Sequence, residues 1–224
     1  MSLAVIKDNH ITLAGSHFFT GNAPTVSIGS YGEKATPVFG QNKLEVKGHI
    51  PALRLQGKVR TVPPIDLDIS RSSKADFTGM VSASLKVIGF SGSAGAVYES
   101  LADKHLKLVQ LWVEEEGMKS AANQSPRVLD NLAGYGGDAR IAHQVLIVME
   151  ATLAKSFTAA AHFDVSADAA GIVSINGTGG GAVSGGTRVT LSLNTCIAYL
   201  LLKLDWNRNK SAIDSTKVDE WSVN

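Results

Sequence analysis

Residues 176–186, NGTGGGAVSGG, form a glycine tract in which a phosphate-binding loop could lie. Within it, GTGGGA satisfies the dinucleotide-binding pattern GxGxxA, whose chemistry requires a helix after the glycines to hold a pyrophosphate. The residues that follow, SGGTRVTLSL, alternate in polarity and predict a strand instead. No Lys-Ser or Lys-Thr pair follows the glycines, as a P-loop requires. The tract is therefore predicted to connect the two strands of a hairpin.

Two carboxylates also have a spacing that could do chemistry. In IDLDIS the apolar residues alternate with Asp66 and Asp68, which places both carboxylates on one face of a strand. Such a pair could bind a metal or share acid–base work. No histidine or glutamate nearby completes a ligand set, so a solvated strand face is favoured and no metal site is expected.

The remaining nucleophiles and bases do not form a known catalytic pattern. GFSGS has serine where the GxSxG nucleophile elbow requires its second glycine. The six histidines are scattered, without an HExxH motif or a close His/Cys/Asp cluster. We expect no enzyme and no cofactor, although a triad assembled from distant residues stays open. The single cysteine, Cys196, lies in the apolar run TCIAYLLLKL and is predicted to be a buried thiol.

A basic segment precedes these features. The formal net charge is +1 overall, which argues against a strongly polyanion-seeking protein, and no nucleic-acid partner is expected. Residues 1–60 nevertheless carry seven Lys/Arg against three Asp/Glu. Most of this excess lies in KLEVKGHIPALRLQGKVR, which is typical either of a solvated strand edge or of a surface that holds phosphates.

The strongest periodic patterns lie in two long segments that are rich in small residues. KADFTGMVSASLKV, residues 74–87, alternates with period two over fourteen residues, well beyond the usual strand of about five or six. SFTAAAHFDVS, residues 156–166, repeats the pattern, and RVTLSL follows the glycine tract. Each segment predicts a long hairpin, although glycines and small side chains hold a strand weakly in a core.

Between these segments the chain predicts a compact core. LKLVQLWVEEEG favours a buried strand around Val109, Leu111 and Val113. SPRVLDNL favours a short helix with Ser125 as N-cap and Pro126 at its first position. AHQVLIVMEA is typical of a central strand. The predicted fold class is α+β, mostly an antiparallel twisted sheet with long hairpins and a few short helices.

The order of these elements resembles the pore-forming domain of the gasdermin family. KADFTGMVSASLKVIGFSGSAGAVYES is similar to the family's first membrane-inserting hairpin, and LKLVQLWVEEEG to the core strand after it. HQVLIVMEATLAKSFTAAAHFDVSADAAG, the glycine tract and GGTRVTLSLNTCIAYLLLKL are similar to the second hairpin and its flanking strands. The resemblance covers roughly residues 74–204 and fits a short member of bacterial or fungal type.

The resemblance implies a mechanism: a cytoplasmic monomer binds acidic membrane lipids, forms a homo-oligomeric ring and inserts both hairpins as a transmembrane β-barrel. Strands of about 9–11 residues with one apolar face suit this role. Membrane permeabilisation of this kind would serve cell death or defence. Lipid binding would fall to Lys43, Lys47, Arg54, Lys58 and Arg60. The lipid-facing rows would be Phe77, Val81 and Leu85 in the first hairpin, and Phe157, Phe163, Val165, Val189 and Leu191 in the second.

The expected organisation is one pore-forming domain over residues 1–205 and a short tail over 206–224. The tail would act as an inhibitory clasp anchored by Trp221, or would be disordered. A regulatory protease or an inhibitory partner would then control activity. The chain shows no signal peptide and no apolar run of the roughly 18 residues that a membrane helix needs, so a cytoplasmic protein is expected. The alternative function is a soluble β-rich binding or assembly protein without membrane activity.

Overall fold

The computed structural model describes residues 3–7, 9–38, 40–62, 65–69, 74–78, 106–148, 162–167, 173–178, 187–191 and 196–222. The strands are β1 Leu3–Lys7, β2 His10–Leu13, β3 Ser16–Phe19, β4 Ser30–Ala35, β5 Lys43–His49, β6 Arg60–Thr61, β7 Ile65–Asp68, β8 Leu106–Trp112, β9 Ala139–Val148, β10 His162–Ala167, β11 Val173–Thr178, β12 Thr187–Leu191, β13 Cys196–Trp206 and β14 Ile213–Asp219. The helices are α1 Ala52–Leu55, α2 Glu115–Asn123 and α3 Pro126–Gly134, and residues 74–78 are also helical. The prediction of a β-rich fold with a few short helices is confirmed.

Seven of the strands close into a mixed barrel. Their order is β13-β3-β2-β1-β7-β8-β9, and β9 pairs again with β13. Neighbours are antiparallel except β1 and β7, which run parallel. Strands β4 and β5 continue the sheet beyond β9, β14 extends it beyond β13, and β6 pairs with β8.

The barrel interior is filled by apolar side chains from all seven strands. Inward-facing residues alternate with outward-facing ones along a barrel strand. Those turned inward form one buried cluster, which consists of Ala4, Ile6, Ile11, Leu13, Phe18, Ile65, Leu67, Ile69, Phe77, Leu108, Leu146, Val148, Ile197, Ala198 and Leu200. The barrel is therefore a packed core and has no lumen among these residues.

Phe77 corrects one sequence prediction. The alternation of residues 74–87 predicted a strand, but residues 74–78 are helical and Phe77 is fully buried against the interior cluster. Lysine and alanine in this stretch have good helix propensity, and burial of a phenyl ring stabilises by about 1.5–3 kcal/mol. Together these outweigh the weak strand preference of the segment at its start. The prediction for residues 79–87, including Val81 and Leu85, lies outside the described residues.

A second layer covers the outer face of β8, β9 and β13. The β4–β5 hairpin, α1, α2 and α3 pack there around a larger buried cluster. Val109, Leu111 and Val113 belong to it, so the predicted buried strand is confirmed. The helix after Ser125 is confirmed as α3, but its cap is different: the Ser125 hydroxyl donates to the carbonyl of Ala121 at 2.9 Å and ties α3 back to α2.

The glycine tract connects paired strands, as predicted, although the partner strand is different. Strand β11 precedes it and pairs antiparallel with β12, which excludes the helix that a dinucleotide site needs. The expected partner, residues 156–166, lies partly in β10, and β10 pairs with β11 instead of β12. Val165 and Val189 are both paired with Ile175 from opposite sides. The strand was missed because VSINGT alternates over only four residues and then runs into the glycine tract, whose composition favours a turn.

The hydroxyl of Tyr199 joins β13 to the chain after β3 and to β5. Tyr199 lies on β13 and is fully buried, with its ring stacked on Phe19 at a centroid distance of 5.8 Å. Its hydroxyl donates to the carbonyl of Gly21 at 2.7 Å and accepts the backbone N–H of Leu44 at 2.8 Å. Burial raises the pKa of this phenol well above its ordinary value, so it stays protonated.

Replacing Tyr199 by phenylalanine is expected to lower the free energy of unfolding by about 1–3 kcal/mol, because it leaves two buried backbone groups without a partner. Urea denaturation monitored by circular dichroism measures the change. Tyr31→Phe is the matched control. Among the described residues, the Tyr31 hydroxyl accepts a hydrogen bond from the Asn131 side chain, which is exposed and can turn to water, so the loss of unfolding free energy should be smaller. Equal losses would contradict the role assigned to Tyr199.

His143 lies where β9 exchanges one partner strand for another. β9 pairs with β4 up to Ile141 and with β8 from Gln144. Between them, the carbonyl of His143 accepts the N–H of Val113, and its Nδ1 lies 3.3 Å from the Val113 carbonyl. Burial lowers the pKa of His143 to about 4, so the imidazole is neutral at pH 7.

Stability should therefore fall as the pH drops from about 6.5 to 4. Above this range the imidazole is neutral in both states, and within it the unfolded chain takes up the proton first. The difference between the pKa of His143 in the unfolded state and its pKa in the folded state corresponds to about 3 kcal/mol of unfolding free energy. Urea denaturation from pH 7.5 to 4 should show this slope in the parent and a reduced slope in His143→Gln. An unchanged slope would exclude His143 as its source.

Candidate functional site

Four neighbouring strands have their two longest connections at the same end of the barrel. Strands β7, β8, β9 and β13 lie side by side and each pair is antiparallel. The registers align Leu67 with Leu106, Leu108 with Val148, and Ile147 with Cys196. Because antiparallel neighbours run in opposite directions, the chain leaves β7 and β9 and returns to β8 and β13 at the same end of the barrel.

The segments that join these ends are the two that the sequence singled out. Residues 70–105 connect β7 to β8, and residues 149–195 connect β9 to β13. Val81, Leu85 and Phe157 lie outside the described residues, while Phe163 and Val165 are on β10 and Val189 and Leu191 are on β12. The barrel therefore places the points at which the two segments are attached next to each other.

Residues at which the two long segments join the barrel are buried. Ile69, Val148 and Cys196 each have an exposed fraction of only 1%. The Cys196 thiol lies 3.4 Å from the Ala198 carbonyl, and burial raises its pKa to about 12. The prediction of a buried thiol is confirmed.

The C-terminal tail completes the wall on the other edge of β13. β14 pairs with Leu201–Trp206, whereas the first half of that edge meets β3 through the pair Tyr199 and Phe19. Beyond β14, the N–H of Trp221 donates to the carbonyl of His17 at 2.9 Å, and the N–H of His17 donates to Glu220 Oε2 at 3.1 Å. The tail thus follows β13 and then β3, across the junction between these two strands.

Side chains of α2 hold the start of the tail strand. The Asn123 amide donates to the carbonyl of Ile213 and accepts its N–H, both at 2.9 Å. Glu115 accepts the hydroxyl of Thr216 at 3.2 Å, and Lys119 donates to the carbonyl of Asp214 at 3.2 Å. Ile213 itself is buried in the outer cluster.

A carboxylate holds the end of the tail strand. Asp219 accepts hydrogen bonds from Lys34 Nζ at 2.9 and 3.2 Å and from Arg140 Nε. Arg140 also donates to the carbonyls of Gly137 and Ala139, and only 8% of its side chain is exposed. Lys34 Nζ lies 5.1 Å above the ring of Phe19. This cluster joins β14 to β4 and β9.

Asp219→Asn is expected to lower the free energy of unfolding by about 3 kcal/mol, because it leaves the largely buried Arg140 without its counter-charge. It should also speed cleavage by trypsin at Arg208 and Lys210, which lie in the exposed connection between β13 and β14. Urea denaturation and limited proteolysis measure the two effects. Asp214→Asn, an exposed position on the same strand, is the control and should change stability by no more than about 0.5 kcal/mol.

The predicted lipid-binding residues occupy two places. Lys43 and Lys47 lie on β5 and form ion pairs with Glu45 at 3.9 and 3.4 Å, and Lys47 also pairs with Glu33 at 3.6 Å. These carboxylates offset much of the positive charge of β5, and Glu45 raises the pKa of Lys47.

The second place surrounds α1. The Arg54 guanidinium donates to the Gln124 side chain, and Lys58 Nζ donates to the Gly117 carbonyl, both at 3.4 Å. Arg60 is exposed on β6. The neighbouring Leu53 is 77% exposed, so an apolar side chain accompanies these cations at the surface.

The aspartate pair has a different environment from the one predicted. Asp68 is only 5% exposed, so the solvated strand face is wrong for this residue. β7 lies inside the sheet between β1 and β8, which shields its side chains in a way that the short motif could not reveal. Within the described ranges, no group of three or more His, Cys, Asp or Glu side chains could hold a metal ion.

One serine–histidine contact occurs near the end of β5. His49 Nδ1 lies 3.1 Å from Ser30 Oγ and 3.3 Å from Ser27 Oγ, and burial lowers its pKa. Ser30 is fully buried and already accepts the backbone N–H of Ser27 at 2.8 Å. A substrate has no access to this hydroxyl, so the contact is suited to stabilising the turn.

No family model, curated protein or solved structure matches this chain. No helix in the described part of the chain is long and apolar enough to cross a membrane. Sequence reasoning missed the residues that seat the tail, Lys34, Arg140, His10 and His17. They come from three separate parts of the chain, around residues 10–17, 34 and 140, and no local motif joins them to the tail.

Proposed function

We propose that this chain is a pore-forming protein of gasdermin type, which binds acidic lipid, oligomerises and inserts two hairpins to permeabilise membranes in cell death or defence. The observation that carries the proposal is that residues 70–105 and 149–195 are attached to β7, β8, β9 and β13 at the same end of the barrel. A hairpin that prolongs β7 and β8, beside one that prolongs β9 and β13, gives four continuous strands. Copies arranged in a ring would close such sheets into a barrel that satisfies every backbone hydrogen bond.

The length and composition of the two segments support this role. Each is long enough for two spanning strands of about 9–11 residues and a turn. Their small residues and glycines stabilise a soluble strand weakly, which lowers the barrier to rearrangement. Strands β8, β9 and β13, which are buried on both faces, would stay in place together with β7 as the base of the inserted sheet.

Lipid binding is assigned chiefly to the surface around α1. Exposed Leu53 lies beside Arg54, and Lys58 and Arg60 follow in the chain. Apolar and cationic side chains together favour an acidic membrane surface, since each Lys or Arg near it contributes about 1 kcal/mol. The ion pairs of Lys43 and Lys47 make β5 the weaker contributor.

The tail is proposed to hold the pore-forming domain in its inactive form, and a protease or a competing partner would release the tail. β14 occupies the edge of β13, the strand into which the second hairpin returns. Loss of the tail would leave that edge free to pair with a neighbouring copy in a ring. The protein would be cytoplasmic before activation and membrane-associated afterwards, without catalytic activity of its own.

The test uses a chain with a specific protease site inserted between Asn209 and Lys210, so that the tail is cut after folding. A second version also carries Lys203→Cys and Lys217→Cys, exposed paired positions on β13 and β14 that a disulfide can join. Dye release from liposomes should require anionic lipid and cleavage, and should stay blocked in the oxidised double-cysteine form until reductant is added. Absence of leakage from every form, with the protein monomeric, would favour the soluble binding protein.

Insertion of the second hairpin has its own signature. Single cysteines at 188, 189, 190 and 191, each labelled with an environment-sensitive dye, should report alternately on lipid and water. Val189 and Leu191 are expected to give blue-shifted emission on anionic liposomes after cleavage, whereas Arg188 and Thr190 are the matched controls on the same strand. A uniform response at the four positions would contradict insertion as a strand.

A further inference from the structure

The tail and the outer face of the barrel enclose a cleft of about 620 Å³. Strands β1, β2 and β3 form its floor, and the last described residues of the tail form one side. Its lining consists of Val5, Lys7, His10, Thr12, His17, Trp221 and Ser222. Ligand sites in proteins typically have about 300–1,000 Å³, so the volume suits a small organic molecule.

Aromatic rings form one wall of the cleft. The Trp221 indole is stacked on the His10 imidazole with centroids 4.3 Å apart and planes inclined by 14°. The His17 ring lies 4.9 Å from His10 at 53°. A flat ligand can extend this stack, and aromatic pairs add about 0.5–1.5 kcal/mol beyond the burial of their area.

The polar groups of the cleft suit an anion. Lys7 supplies an ammonium group, the two histidines supply imidazole nitrogens, and Thr12 and Ser222 supply hydroxyls. Two acidic residues of the described part of the chain lie beside the cleft: Glu220, whose Oε2 already accepts the backbone N–H of His17, and Asp68 on β7, which is paired with Val5 and largely buried. A phosphate or carboxylate group would therefore meet donors on β1, β2 and β3 at once.

We propose that this cleft binds a small soluble organic anion with a flat apolar body, and that its occupancy holds the tail in place. The flat body packs on the Trp221–His10 stack and the anionic group lies near Lys7 and His17. Because Trp221 and Ser222 belong to the tail, the complete site exists only while the tail is seated. A ligand that binds only this state stabilises it by mass action. The regulatory consequence rests on the proposed function, whereas the binding does not.

Binding is tested without membranes, by titration calorimetry of the intact chain with 1-naphthyl phosphate. One-to-one binding is expected, at least tenfold tighter than that of 1-naphthol, which lacks the charge, or of inorganic phosphate, which lacks the ring. Lys7→Met and His17→Gln should each weaken it at least fivefold. Lys203→Met, an exposed lysine on β13, is the matched control and should leave it unchanged. Failure of naphthyl phosphate to bind, or equal affinity in folded Lys7→Met and His17→Gln, would overturn the site.

The effect of ligand binding on retention of the tail is measured separately. In the chain cut between Asn209 and Lys210, naphthyl phosphate at 100 times its Kd should reduce dissociation of the tail peptide about 100-fold at equilibrium. Binding with no effect on tail dissociation would overturn the link. Binding and tail retention in a protein that never releases liposome dye would leave this inference standing while the pore-forming proposal fails.

Discussion

The architecture depends on the pairing of both edges of β13. One edge is bonded to β9 from Cys196 to Lys203, and this pairing closes the barrel. The other edge meets β3 at Tyr199 and β14 from Leu201 onward. Buried backbone N–H and C=O groups need partners, so a strand this long and this buried must have a neighbour on each side for most of its length. The C-terminal tail is that neighbour for the second half of β13.

This requirement explains why the tail is secured by several different interactions. Backbone pairing with β13 fixes its direction, the Asn123 amide fixes its start, and Asp219 fixes its end through Lys34 and Arg140. Each interaction crosses to a different element, so releasing the tail requires breaking them together. Under the proposed function, these contacts would hold the tail in place until the chain between β13 and β14 is cut or a partner binds the tail.

Large apolar residues are concentrated in the barrel strands, whereas the long segments attached to these strands are rich in small residues. Strands β8, β9 and β13 are covered on the inside by the barrel cluster and on the outside by helices and the β4–β5 hairpin. The segments attached to their common edge are rich in glycine, alanine and serine, which bury little apolar area and stabilise their own conformation weakly. This contrast is the physical basis of the proposal that the segments rearrange while the barrel stays intact.

The sequence by itself determined the elements whose signals are local: the buried strand around Leu111, the helix after Ser125, the central strand of AHQVLIVMEA and the strand that follows the glycine tract. Tertiary structure alone decided the closure of the barrel, the helical state of residues 74–78, the partner of β12 and the shielding of Asp68. It also decided the cleft and the Asp219 cluster, in which Lys34 and Arg140 lie 185 and 79 residues from Asp219 along the chain. The spacing of apolar residues and the residues that favour turns and helix ends act over a few positions, so they can be recognised in the sequence. Closure and burial depend on which distant strands meet, and that is set by the combined packing of all of them.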